Sequence, residues 1–181
     1  MPYYHGSPVA GLTELKPFLS EHGKPYIYFA TNPVVALLYA VKPVSKPLSF
    51  YPYGFDGEKV VYSEYYEGAF ADIYKGKSGC LYECDALPDA QTPTAINGVY
   101  TCEQPVKPDR STAIADLFAK YREYERQGLF YIRPFEVIPP KELAYIYGEL
   151  KKDVEKFRLH DVPDSAASLF IKIHFPNVWE I

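Results

Sequence analysis

Apolar residues in this chain come in short aromatic-rich clusters, separated by breaks rich in proline and glycine. Residues 2–5 read as a short strand, and residues 8–18 as a turn-rich crossing with Leu12 and Leu15 facing inward. After a polar loop over Ser20–Pro25, Tyr26–Ala30 forms a second strand. Asn32 then supplies a cap and Pro33 the first helical position, so a buried helix runs over Pro33–Val41 and stops at Pro43 and Pro47. Leu48–Gly57 is an aromatic, turn-rich loop. Strands follow at Lys59–Tyr62, Cys80–Asp85 and Val99–Cys102, with a short helix or irregular turn over Tyr65–Tyr74. A loop with Pro88 and Pro93 leads to the turn signal Asn97-Gly98. The clearest helix spans Ser111–Gln127: Ser111 is its cap, Ile114, Leu117, Phe118, Tyr121 and Tyr124 fall at helical spacing, and Gly128 closes it. Beyond it come a strand at Leu129–Ile132 that Phe135–Ile138 extends, a short element from Pro139, a charged solvent-facing helix over Glu149–Leu159, and a last segment, Ala166–Phe175. Short strands mixed with helices predict an α+β fold.

The 181 residues suit a single domain spanning 1–181. A net charge of −4 with no run of five Lys or Arg gives nucleic acid no compositional support as a partner. No apolar stretch is long enough for a membrane span, and no basic region followed by an apolar run opens the chain, so the expectation is a cytoplasmic protein with no membrane partner. Cys80, Cys84 and Cys102 cannot form a closed disulfide set, and the four histidines are too scattered for a zinc site. Cys80 and Cys84 share one face of a strand and read as buried small hydrophobes. Eighteen Tyr and eleven Phe suit either short strands or half-wet clefts.

Two segments carry chemistry. Tyr3-Tyr4-His5-Gly6-Ser7 ends an aromatic strand on a His-Gly pair, and Ile27-Tyr28-Phe29-Ala30-Thr31-Asn32-Pro33 runs from strand into helix, with Tyr39 eleven positions after Tyr28. Any one of these residues alone reads better as a strand end or a core aromatic; their joint spacing and the strand-to-helix context of the second segment select the functional reading. The pair resembles the ADP-ribosyltransferase superfamily over roughly residues 2–108, where a His-Gly-Ser/Thr element and a Tyr-Phe strand grip NAD. The resemblance implies a split, mostly antiparallel sheet with flanking helices, residues 109–181 being a helical and strand extension packed on that core. It also implies NAD as substrate and transfer of ADP-ribose to a protein, nucleic-acid or small-molecule acceptor. His5 and Gly6 would hold nicotinamide and ribose, His5 bonding the ribose hydroxyl or the amide oxygen and Gly6 admitting the carboxamide to the main chain. Tyr39 would stack on the ring from across the same cleft, Tyr28 would line the wall, Ser7 would bond locally or to the amide, and Thr31 completes the binding set.

The family's third element is often a glutamate opening a later strand, where it supports the oxocarbenium-like transition state. Here that strand begins Asn97-Gly98-Val99-Tyr100, which resembles the RNA 2′-phosphotransferase branch and has no carboxylate at its start. Glu103 is the nearest acidic alternative and the candidate catalytic residue; a solvated loop carboxylate is its other reading, and Glu125 and Gln127 are further options. Three rival functions stand beside transfer: an NAD- or ADP-ribose-binding module without catalysis, an RNA 2′-phosphotransferase, which the acidic charge disfavours, and a structural or interaction protein whose aromatic surface binds a partner. Gly76-Lys77-Ser78 lacks the context of a phosphate loop and reads as a turn, and no nucleophile-elbow context surrounds Ser7.

Overall fold

A computed structural model describes residues 1–19, 24–41, 52–92 and 96–180. The expectations for Ser20–Gly23, for Pro43 and Pro47, for residues 48–51 and for Pro93 lie outside these. In chain order the elements are β1 (Tyr3–Ser7), β2 (Phe18–Leu19), β3 (Pro25–Ala30), α1 (Pro33–Leu38), β4 (Tyr53–Asp56), β5 (Lys59–Ser63), α2 (Ala69–Tyr74), β6 (Gly79–Cys84), β7 (Val99–Cys102), β8 (Arg110–Ile114), α3 (Leu117–Arg126), β9 (Phe130–Arg133), α4 (Pro140–Lys156), α5 (Ala166–His174) and α6 (Pro176–Trp179). The fold is α+β. The chain divides into two compact units, Met1–Lys42 with Tyr74–Gln127, and Pro43–Ile73 with Gly128–Ile181. β8 and α3, which follow residue 108, therefore belong to the unit that carries the two motifs.

In the first unit the strands run β2-β3-β1-β6-β8, and β7 pairs with β3 off that path. Every pairing in it is antiparallel. Strand alternation gives the sheet two faces. Tyr3 and His5 of β1, Phe29 of β3 and Cys80, Tyr82 and Cys84 of β6 share one face, on which Leu15, Ile27, Cys102 and Val106 complete a buried cluster. Cys80, Cys84 and Cys102 are buried free thiols there, and burial pushes the Cys84 thiol up to about 11. Tyr82 is fully buried; its hydroxyl donates to Val9 O at 2.8 Å and accepts from Leu12 N at 2.9 Å, pinning the crossing segment.

The opposite face carries α1. Asn32 Oδ1 accepts from Val34 N at 2.9 Å and Pro33 stands in the first turn, as the sequence predicts. The helix sits so close that a Cβ on Gly6 would lie 2.0 Å from Ala36 O, and one on Gly79 would lie 2.9 Å from Ala40 Cβ. Tyr121 Oη donates to Val34 O and Tyr74 Oη to Leu38 O, each at 2.8 Å.

The expected helix over Ser111–Gln127 begins five residues late, cap to cap. Ser111 is in β8, opposite Tyr82, and the cap is Asp116, whose carboxylate accepts from Ala119 N at 2.9 Å. Pairing with the edge of β6 outweighs the helical spacing of Ile114. The C-terminal end matches: Gln127 caps the helix and Gly128 follows at φ 73°.

The second unit has its own sheet, β4-β5-β9, antiparallel at β4–β5 and parallel at β5–β9. Phe70 of α2 packs edge-on to Tyr62 at 4.9 Å and against Phe130 at 5.3 Å. Phe135–Val137 is a 3-10 turn rather than an extension of β9. The helix expected at Glu149–Leu159 belongs to the longer α4, and it is amphipathic instead of solvent-facing: Leu150 and Val154 are buried with Ile171, Phe175 and Val178. Ser168 Oγ donates to Val162 O at 2.8 Å, fastening α5 to the preceding turn.

The glycine contacts have measurable consequences. Gly6→Ala is expected to destabilise by about 3 kcal/mol or more, because its new neighbour is helix backbone that cannot rotate away. Gly79→Ala meets Ala40 Cβ at 2.9 Å and Leu117 Cδ1 and Ser7 O at 3.3 Å, looser contacts than at Gly6, and should cost about 1–2 kcal/mol. Gly148→Ala, within α4 and facing open space, should stabilise by about 0.5–1 kcal/mol. Urea titration of the three variants checks the order.

Candidate functional site

β1 and β3 are in register through one pair, Tyr4↔Ala30, whereas β7 pairs with β3 along Ile27–Ala30 and β2 pairs with it at Pro25 and Tyr26. Between those pairings β1 and β3 part. The His5 ring reaches into the gap, its Nδ1 2.8 Å from Tyr28 O. A carbonyl can only accept, so Nδ1 carries the proton and Nε2 of the neutral ring is an acceptor. Burial holds the His5 imidazole below its ordinary value of 6.5, a shift the bond to Tyr28 O opposes.

Beside this gap, under α1, lies a cavity lined by Gly6, Tyr28 and Tyr39 together with Tyr4, Ala36 and Val99. Three of the residues singled out in the sequence thus come together from three segments. Tyr39 is the C-cap of α1, at φ −89° and ψ 0°, and is partly exposed. The cavity measures about 20 Å³, room for about one water. A pyridine carboxamide does not fit it as it stands.

The other expected residues are placed elsewhere. His5 and Tyr39 do not face one cleft from its two sides; they stand on opposite faces of the sheet, a placement that counts against a nicotinamide pocket closed between the two motifs. Gly6 turns toward α1, so its neighbour His5 turns to the opposite face, where its ring lies 5.8 Å from Phe29 and 6.4 Å from Tyr82. Gly6 lends its missing Cβ to the helix backbone rather than to a ligand. Ser7 is buried and its Oγ accepts from Val9 N at 3.1 Å, the local bond foreseen as one of its roles. Thr31 Oγ1 donates to Gly98 O at 3.4 Å and Thr31 N to the same oxygen at 2.9 Å, tying the Asn97-Gly98 turn to the start of α1.

Glu103 lies one residue past the end of β7, exposed, with its N–H donating to Asp89 Oδ2 at 3.1 Å. Val99, the β7 residue at the cavity, is four residues back, about 13 Å along an extended strand. Glu125 pairs with Arg122 on the surface of α3, and Gln127 caps that helix. No carboxylate among the described residues lines the cavity. Thr101, which sequence reasoning passed over, lies opposite Tyr28 and is fully buried. The available signal was its place two residues after Val99, on the same strand face.

Among the described residues, no three of His, Cys, Asp and Glu gather as a metal site, and no helix is long and apolar enough to cross a membrane. No known protein family, curated protein or solved structure matches the chain.

The state of His5 makes a pH prediction. With the folded pKa below 6.5, the unfolded chain takes up the proton first as pH falls. The contribution is complete above about pH 6.5 and is lost toward the lower folded pKa, with a slope of at most about 1.4 kcal/mol per pH unit. His174 is also lowered by burial, against the pull of Asp72, and adds a slope of the same sign. Urea titrations between pH 5 and 7.5 should therefore show stability rising with pH, and His5→Gln should flatten that rise.

Proposed function

We propose that this chain binds NAD at the junction of β1, β3 and α1 and transfers its ADP-ribose group to an acceptor, in the manner of the ADP-ribosyltransferases. The observation that carries the reading is that Gly6, Tyr28 and Tyr39 line one cavity where β1 and β3 part. The lining fits the nicotinamide end of NAD in kind: a tyrosine ring to stack on, apolar walls, and a strand whose main chain is parted from its neighbour. It does not fit in size, so binding requires the lining to rearrange. Tyr39 caps the C-terminal end of a short helix and is partly exposed. His5 is a positioning residue in this reading. Its bond to Tyr28 O holds the gap between the strands where ladder pairing would otherwise continue. The free thiols fit a cytoplasmic setting.

Binding without transfer is the second reading, and the exposed position of Glu103, away from the cavity, favours it. Calorimetric titration with NAD followed by a nicotinamide-release assay separates the cases. Wild type should bind NAD, and Tyr39→Ala should weaken binding by about 1–3 kcal/mol with the fold intact. Release of nicotinamide by wild type and by Glu103→Gln at equal rates is the outcome expected of an enzyme whose Glu103 is only a surface carboxylate. Binding with no release identifies a binding module, and no binding by wild type rejects the NAD reading.

A further inference from the structure

We propose that Thr101 is a ligand-contact residue of the same site, its hydroxyl hydrogen-bonding a polar group at the nicotinamide-ribose end of NAD; this rests on the NAD reading above. Thr101 Oγ1 is buried and has no hydrogen-bond partner among the described residues. The main chain of Thr101 is satisfied, since its N–H donates to Gln91 O at 2.8 Å and its carbonyl accepts from Gln91 N at 2.9 Å. Only the hydroxyl is left over. Other buried serine hydroxyls are paired: Ser7 Oγ with Val9 N, and Ser168 Oγ with Leu159 O and Val162 O. A buried hydroxyl without a partner is unfavourable, and valine has nearly the same shape without that penalty. A partner arriving from outside the chain accounts for a threonine here.

The position favours the cavity as the place from which that partner comes. Thr101 is the cross-strand neighbour of Tyr28, and Val99 lies two residues before it on the same strand face. Tyr28 and Val99 both line the cavity. Directly opposed residues on neighbouring strands have Cβ atoms about 5 Å apart, so the hydroxyl lies within one side chain of the cavity wall. A ligand seated against Tyr28 and Val99 brings a carboxamide or a ribose hydroxyl toward that depth. Threonine can donate to the first and either donate to or accept from the second.

Thr101→Val and Thr101→Ser test this by calorimetric titration with NAD, nicotinamide and ADP-ribose, alongside thermal melts. Thr101→Val should lose about tenfold in NAD affinity, the size of one hydrogen bond. It should melt at or above the wild-type temperature, because an orphaned hydroxyl has been removed. Thr101→Ser, which keeps the hydroxyl, should bind NAD within about threefold of wild type. Loss of nicotinamide binding in the valine variant assigns the contact to the carboxamide; loss confined to ADP-ribose assigns it to the ribose. Equal NAD affinity in wild type and Thr101→Val overturns the proposal while leaving the NAD reading intact. A melting temperature several degrees lower in Thr101→Val overturns it too, since the hydroxyl then has a structural partner. Wild type that binds none of the three ligands removes the NAD reading, and this proposal with it.

Discussion

The contact on which the first unit depends is the approach of α1 to the sheet across Gly6 and Gly79. A Cβ at Gly6 would occupy the space of a helix carbonyl, so the helix backbone rests directly on β1. Six residues are too few for a helix to hold itself in water, and α1 has neither an acidic first turn nor a basic last turn. Its persistence comes from burial of Val34 through Leu38 and from hydroxyls that occupy its carbonyls: Tyr121 at Val34 O and Tyr74 at Leu38 O. The same closeness limits the cavity beneath the helix to about one water, so the packing that creates the site also shuts it.

The site itself follows from a strand whose neighbours have opposite tasks. Gly6 admits the helix on one face, while His5 turns to the other and bridges to Tyr28 O through the gap between β1 and β3. A His-Gly pair therefore serves two structural ends before any ligand is considered. Thr31, tied to Gly98, fixes where β7 begins, and with it the placement of Val99 and Thr101 against Tyr28.

The high tyrosine content also finds a use in the core. Tyr62, Tyr74, Tyr82 and Tyr121 are among the largest fully buried side chains. Three of them send their hydroxyls to main-chain carbonyls, at Leu38, Val9 and Val34. Each supplies apolar area and satisfies an acceptor that burial would otherwise strand. In a unit with short helices and a turn-rich crossing segment, such bonds replace regular secondary structure as the means of closing the backbone.

What the sequence determined by itself was local. Asn32 with Pro33 fixed the start of α1, Gln127 and Gly128 the end of α3, Asn97-Gly98 a turn, and the clustering of Cys80, Tyr82 and Cys84 a buried strand face. Each follows from backbone preference or two-residue periodicity, which act over a few residues. Tertiary structure decided what depended on partners distant in the chain. Ser111 became strand because the β6 edge needed pairing, and Asp116 then took over as the cap. Leu150 and Val154 turned α4 inward because α5 and α6 offered an apolar surface. Gly6 went to the helix, Glu103 to the surface and Thr101 beside Tyr28 because strand register assigns faces, and register is set by pairing between segments tens of residues apart.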